Sequence, residues 1–287
     1  MTLPMAQIRV GIGGWTFAPW RGTFYPKSLP QARELEYASR QLTSIEINGT
    51  FYGSQKPESF RRWRDETPEN FVFSLKGPRF ATHRRDLSDA GASIERFFTS
   101  GVLELGEKLG PILWQFPGTK RFEPENFGVF LKQLPATVEG QRIRHVVEVS
   151  HESFAVPEFI DLLRRHGVAL ALVDSADRPA VFDLAADFVY ARLRRSTEEE
   201  PTGYPKSSLE AWANRFNTWA AGSEPKDLSR IHPEPAPPAK MRECFVYFIS
   251  GAKVRAPAAA QALIARLARA PSSHRRRNLR SLEQNDK

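Results

Sequence analysis

Residues 44–53 read SIEINGTFYG. Ile45 and Ile47 alternate with Ser44, Glu46 and Asn48, the period-2 pattern of a strand with one apolar and one polar face. The strand runs into Gly49 and then Phe51 and Tyr52, so a carboxylate and an amide stand at its C-terminal end beside two rings. Such a strand needs an interior that can receive polar groups, and its place in the chain tells which interior.

Seven more β-rich runs accompany it: IRVGIGG (8–14), FVFSLK (71–76), PILWQF (111–116), HVVEVS (145–150), ALALVD (169–174), FVYARL (188–193) and CFVYFIS (244–250). Helical patterns over 31–41, 58–67, 89–109, 124–134, 157–166, 208–221 and 256–269 separate them, several opened by proline or by Ser88 and Asp89. Only 175–187 is too short and proline-broken for a full helix. Strand then helix, eight times, predicts an α/β fold, a single (β/α)8 TIM barrel of eight parallel strands over residues 1–270. An open doubly wound sheet is the alternative. In GIGGWTF, however, Trp15 and Phe17 stand where a pyrophosphate would have to approach the backbone closely. The Pro-rich stretch 223–240 reads as a surface loop rather than a domain boundary.

The chain of 287 residues is 41% hydrophobic, enough for a sizeable core. One cysteine, Cys244, excludes an internal disulfide and fits a reducing, cytoplasmic setting. No run of eighteen apolar residues exists, so no membrane partner is expected. The net charge of +8 directs attention to anionic partners, small ligands or nucleic acid. Part of that excess lies in residues 271–287, a basic segment without apolar periodicity, expected to be a disordered tail. No motif specifies an oligomeric state.

Strand phase selects the site. Phe71, Phe73 and Leu75 suit the helix layer, which turns Val72, Ser74 and Lys76 inward; by the same alternation Ser44, Glu46 and Asn48 face in. Polar residues end other strands as well: Gln115, Glu148, Asp174 and Arg192, with His151 just beyond the fifth. Trp15, Trp20, Phe51 and Tyr52 follow the first two strands. Barrel enzymes keep their chemistry at this C-terminal mouth. Internal Lys–Glu or Arg–Asp pairs can merely neutralise one another, but burying five such charges for packing alone is costly. Six histidines without HxH or HxxxH spacing make zinc a poor fit; no cofactor is indicated, and only a carboxylate-bound divalent metal stays compatible. Cys244 begins a strand and reads as a buried thiol, while Trp63, Trp212 and Trp219 read as core. The run RFATHRRDL (79–87), with Arg79, His83, Arg84 and Arg85, fits a phosphate contact or a solvated loop equally well.

The motifs GIGGWTFAPWRGTFYP, IEINGTFY, FSLKGPRFATH, ILWQFP, VEVSHESF, GVALALVDS and DFVYARL, in this order, resemble those of the YecE-like family, also called domain of unknown function 72. The resemblance runs from about residue 8 to about 268. It implies a TIM barrel but brings no established reaction; DNA binding is suggested for it only by analogy with apurinic endonuclease-like barrels. It marks Trp15, Trp20, Glu46, Asn48, Tyr52, Lys76, His83, Gln115, Glu148, His151, Asp174 and Arg192 as matching the family signature. Two departures stand out: Arg194 and Arg195 replace a usual His-Gly, and YFISGAKVRAP replaces a Phe-Asp-Asn-Asp-like run after the eighth strand.

Three functional expectations follow. The first is an enzyme acting on a small anionic or phosphorylated substrate by carboxylate acid/base chemistry: a hydrolase, isomerase or lyase. Glu46, Lys76, Glu148 and Asp174 would be its catalytic residues. Trp15, Trp20, Asn48, Tyr52, His83, Gln115, His151 and Arg192 would bind the substrate. The second is a nucleic-acid-binding barrel, favoured by the Arg-rich loops. The third is a scaffold or ligand sensor whose site has eroded through the eighth-strand departure.

Overall fold

In the computed structural model, which describes residues 7–177, 180–236, 238–239 and 241–269, eight parallel strands close into a barrel. They are β1 (Ile8–Gly13), β2 (Ser44–Ile47), β3 (Val72–Lys76), β4 (Leu109–Gln115), β5 (His145–Glu148), β6 (Ala169–Asp174), β7 (Phe188–Leu193) and β8 (Glu243–Phe248). They neighbour one another in chain order, and β8 pairs with β1 to complete the cylinder. Around it lie α1 (Glu34–Gln41), α2 (Pro57–Glu66), α3 (Gly91–Thr99), α4 (Pro124–Lys132), α5 (Pro157–His166), α6 (Lys206–Ala220) and α7 (Ala256–Arg269). Proline opens α2, α4 and α5, where its missing N–H costs nothing.

The expected helix over 89–109 is shorter and broken. It is α3 preceded by a 3-10 turn at Leu87–Ala90, then Gly101 at φ 101° and a second 3-10 segment, Val102–Lys108. Gly101 takes a left-handed conformation that a side chain resists, and this ends the helix. No helix is present among the described residues of 175–187, as the proline content predicts. The basic segment 271–287 lies outside the described residues.

Two apolar clusters divide the molecule. The larger sits between sheet and helices and takes Ile45, Ile47, Phe71, Phe73 and Leu75, the outward phase. The smaller fills the barrel with Val72, Leu113, Val146, Tyr190, Phe245 and Tyr247. The interior is layered. At the N-terminal end Arg9 and Arg144 both pair with Glu243, and the Arg144 guanidinium lies over Phe245 at 4.7 Å. In the middle the Tyr247 hydroxyl meets Ser44 Oγ at 2.7 Å and Ser74 Oγ at 2.6 Å. Gly11 lets the strands approach there; a Cβ on it would stand 2.0 Å from the Ser44 carbonyl oxygen. The third layer, at the C-terminal end, carries the charges.

Most described residues of the connection before β8 are exposed or half-buried, as its composition predicts, and it is pinned from beneath. The buried Asp183 carboxylate accepts the Ile231 and His232 amides at 2.9 Å each, and the His232 ring reaches Asp161 at 3.0 Å.

Candidate ligand site at the C-terminal mouth

Arg192 is the hub of the third layer. The residue pairs inward beside Val173 of β6 and Tyr247 of β8. Its Nε and one terminal nitrogen donate to the two oxygens of Glu46 at 3.1 and 2.9 Å, and its other terminal nitrogen pairs with Glu148. Tyr190 donates its hydroxyl to Glu46 at 2.7 Å, and Gln115 Nε2 donates to Glu148 at 2.8 Å. Glu46 and Glu148 are 0% and 1% exposed, and Arg192 is 5% exposed. Burial opposes the Arg192 charge, but Glu148 and Glu46 outweigh it and raise its pKa. Burial likewise pushes the Tyr190 hydroxyl up, with Glu46 reinforcing it, so Tyr190 stays a donor.

Lys76 stands in the same layer under different conditions. It is 7% exposed, and its Nζ lies 3.8 Å above the centre of the Phe51 ring. Among the described residues no carboxylate comes within ion-pair distance of it, since Glu46 and Glu148 are both turned to Arg192. Burial first, then the Arg192 charge, lowers its pKa from 10.5 to about 8, against an opposing pull from Glu46 and Glu148.

Above this layer opens a cavity of about 710 Å³. Lys76, Arg192, Arg194 and Lys253 are its cations, Asn48 and Gln115 its amides, and Trp15, Trp20, Trp63 and Tyr52 part of its aromatic wall. Among the described residues lining it, none is Asp or Glu. Trp15 packs edge-on to Trp63 at 5.3 Å and its carbonyl is held by the Tyr25 hydroxyl at 2.6 Å. Trp20, fully buried, donates its indole N–H to the Lys253 carbonyl at 3.0 Å, which ties the loop after β8 to the loop after β1. Tyr52 is 66% exposed on the rim.

Nine of the twelve residues expected from the sequence therefore come together: seven line one cavity, and Glu46 and Glu148 lie in the charged layer directly beneath it. Three do not. Asp174 points the other way: β6 turns Ala171 and Val173 inward, so Asp174 faces the helices, where the Tyr204 hydroxyl reaches it at 3.2 Å. Burial raises its pKa, with Arg195 opposing. His83 is exposed and edges the Phe51 ring at 5.5 Å. His151 accepts the Ser153 amide at 3.1 Å and borders a separate crevice with Phe154 and Phe159. Nor do Glu46 and Glu148 line the cavity; both pair with Arg192 beneath it. Lys253 is a wall residue that strand alternation does not reach, and Trp63, read as core, is both buried and part of the wall. Ile249, at the eighth-strand departure, faces the mouth as an apolar side chain. No group of three His, Cys, Asp or Glu side chains among the described residues is placed to hold a metal ion. None of the described helices is long and apolar enough to cross a membrane.

Residues 9–283 match the family model described as protein of unknown function DUF72. The protein YecE of Escherichia coli K12 is 28% identical over 151 residues, 52% of this chain and 50% of YecE, so the chain spans about half the length of that relative. A DUF72 family protein of Thermotoga maritima has the same fold at a TM-score of 0.70 and 21% identity, covering 91% of this chain and 99% of that one. One from Enterococcus faecalis gives 0.64 at 18% identity, covering 92% and 98%.

Proposed function

Since the chain belongs to the DUF72 family and its strand ends surround one cavity, we propose that it is an enzyme acting on a small phosphorylated or carboxylated compound bound at this mouth. One observation carries the reading: four cations and no carboxylate among the described residues that line the cavity. An anionic group between such walls meets charge-assisted donors from several sides. Arg192 is the fixed contact, because Glu46 and Glu148 hold its guanidinium in place before any ligand arrives. Arg194 and Lys253 extend the positive wall outward. Asn48 and Gln115 supply amide donors, and Trp15 and Tyr52 cover the uncharged part of the ligand. The two buried carboxylates act through Arg192 in this reading and do not take protons from substrate.

Calorimetric titration with inorganic phosphate and with glycerol 3-phosphate tests it. Binding that weakens with added salt and drops at least tenfold in Arg194→Met is expected. Absence of binding, or binding untouched by both Arg194→Met and Lys253→Met, overturns it.

A nucleic-acid reading has one observation of its own. Phe80 is 58% exposed with the Arg79 guanidinium 5.5 Å from its ring, and Tyr52 is 66% exposed; exposed rings beside cations are groups on which bases can stack. Single-stranded DNA whose affinity falls steeply with salt and with Phe80→Ala supports this reading; affinity indifferent to salt removes it.

A further inference from the structure

Lys76 is the one interior cation that the charged layer leaves without a carboxylate among the described residues. Arg192 takes both oxygens of Glu46 and pairs with Glu148, while the Lys76 amine has an aromatic face below it and the cavity before it. Its backbone is fixed at the strand end: Thr50 Oγ1 donates to the Lys76 carbonyl at 2.7 Å, and the Gly77 amide donates to the Leu113 carbonyl at 2.8 Å. An amine on a rigid strand, little hydrated and beside a guanidinium, gives up its proton more readily and becomes a nucleophile.

We propose that Lys76 forms an imine with the carbonyl carbon of an aldehyde or ketone that also carries a phosphate or carboxylate. The inference rests on the mouth being an anion site and adds to it the class of substrate and the covalent step. Arg192 and Arg194 take the anionic group, and the second amide hydrogens of Asn48 and Gln115 are the donors available to the carbonyl oxygen. The neutral amine attacks the carbonyl carbon; the C–N bond forms and the π pair passes to oxygen. That oxygen takes one proton from the nitrogen and one from solvent and leaves as water. The nitrogen lone pair closes the C=N bond, leaving a protonated imine and no change of oxidation state. The pKa near 8 leaves about a tenth of the amine neutral at pH 7, far more than an ordinary lysine offers.

The test incubates the full chain with glycolaldehyde phosphate or glyoxylate and sodium cyanoborohydride, with propionaldehyde as uncharged control, and locates the adduct by peptide mass mapping. Labelling of Lys76 at least tenfold faster than of any other lysine is expected. It should rise through pH 8 to a plateau, be suppressed by phosphate, and be absent in Lys76→Met and Lys76→Arg. Adducts spread over surface lysines, or equal labelling by propionaldehyde, overturn the proposal. Phosphate titration on the same samples separates the two readings: phosphate bound without a Lys76 adduct removes the imine alone, whereas no phosphate binding removes the anion site beneath it.

Discussion

Replacing Arg192 with methionine removes the guanidinium that the buried Glu46 and Glu148 share. Two hydrogen bonds to Glu46, at 3.1 and 2.9 Å, disappear together with the Glu148 contact, and neither carboxylate can turn to water at 0% and 1% exposure. Breaking a buried pair from one side costs about 3–5 kcal/mol, because the surviving charge keeps its desolvation penalty. An unfolding entropy of about 2.1 cal/mol/K per residue makes roughly 0.6 kcal/mol/K for a chain of this length, so Tm falls by about 5–8 °C. Scanning calorimetry at pH 7 measures the fall. The triple variant Arg192→Met, Glu46→Gln, Glu148→Gln serves as control: with both carboxylates neutral, it regains more than half of the lost Tm. If Arg192→Met shifts Tm by under about 2 °C, or if the triple variant melts no higher, the layer is not an electrostatic unit and the argument that Arg192 is prearranged for a ligand fails.

Lys76→Met has the opposite sign. The folded pKa of Lys76 is depressed from 10.5 to about 8, so below pH 8 the unfolded chain gains more from the charge, and removing the amine raises Tm at pH 7. That advantage shrinks between pH 8 and 10.5, and melting curves showing a constant or growing advantage there contradict the burial argument. Gly11→Ala drives a Cβ to within 2.0 Å of the Ser44 carbonyl and costs roughly 3 kcal/mol by overpacking; soluble variant with unchanged denaturant midpoint would falsify the close approach of β1 and β2. Asp174→Asn keeps phosphate affinity within about twofold in calorimetric titration, because the side chain faces Tyr204 and the helices rather than the mouth. A large loss of affinity in that variant means that Asp174 reaches the mouth after all.

Alternation made most of this legible before any coordinates. Ile45 and Ile47 against Glu46, and Phe73 and Leu75 against Ser74 and Lys76, fix which face of each strand is inside, and the bounds of β6 and β7 follow directly from their runs. The inward phase runs through a strand and is not set by the strand's last residue. Asp174 ends β6 as Gln115 ends β4, yet Ala169, Ala171 and Val173 already hold the inward phase of β6. The helix expected over 89–109 was too long because apolar periodicity carries on past Gly101, whose positive φ has no counterpart in hydropathy. Loops have no period at all. His83 and His151 follow strands closely but turn to Phe51 and Ser153, while Lys253, five residues beyond β8, returns to the mouth through the Trp20 indole. The division of labour between Arg192 and Lys76 depends on which cation wins the two carboxylates, a contest of side-chain geometry that residue types alone do not decide.

The most direct measurement is a crystal of the full chain soaked in tungstate, an anion with a strong anomalous signal. Density inside the mouth, within hydrogen-bonding distance of Arg192 and Arg194 and lost in Arg194→Met crystals, is the predicted result. Tungstate bound only elsewhere on the surface, with the cavity empty, contradicts the account.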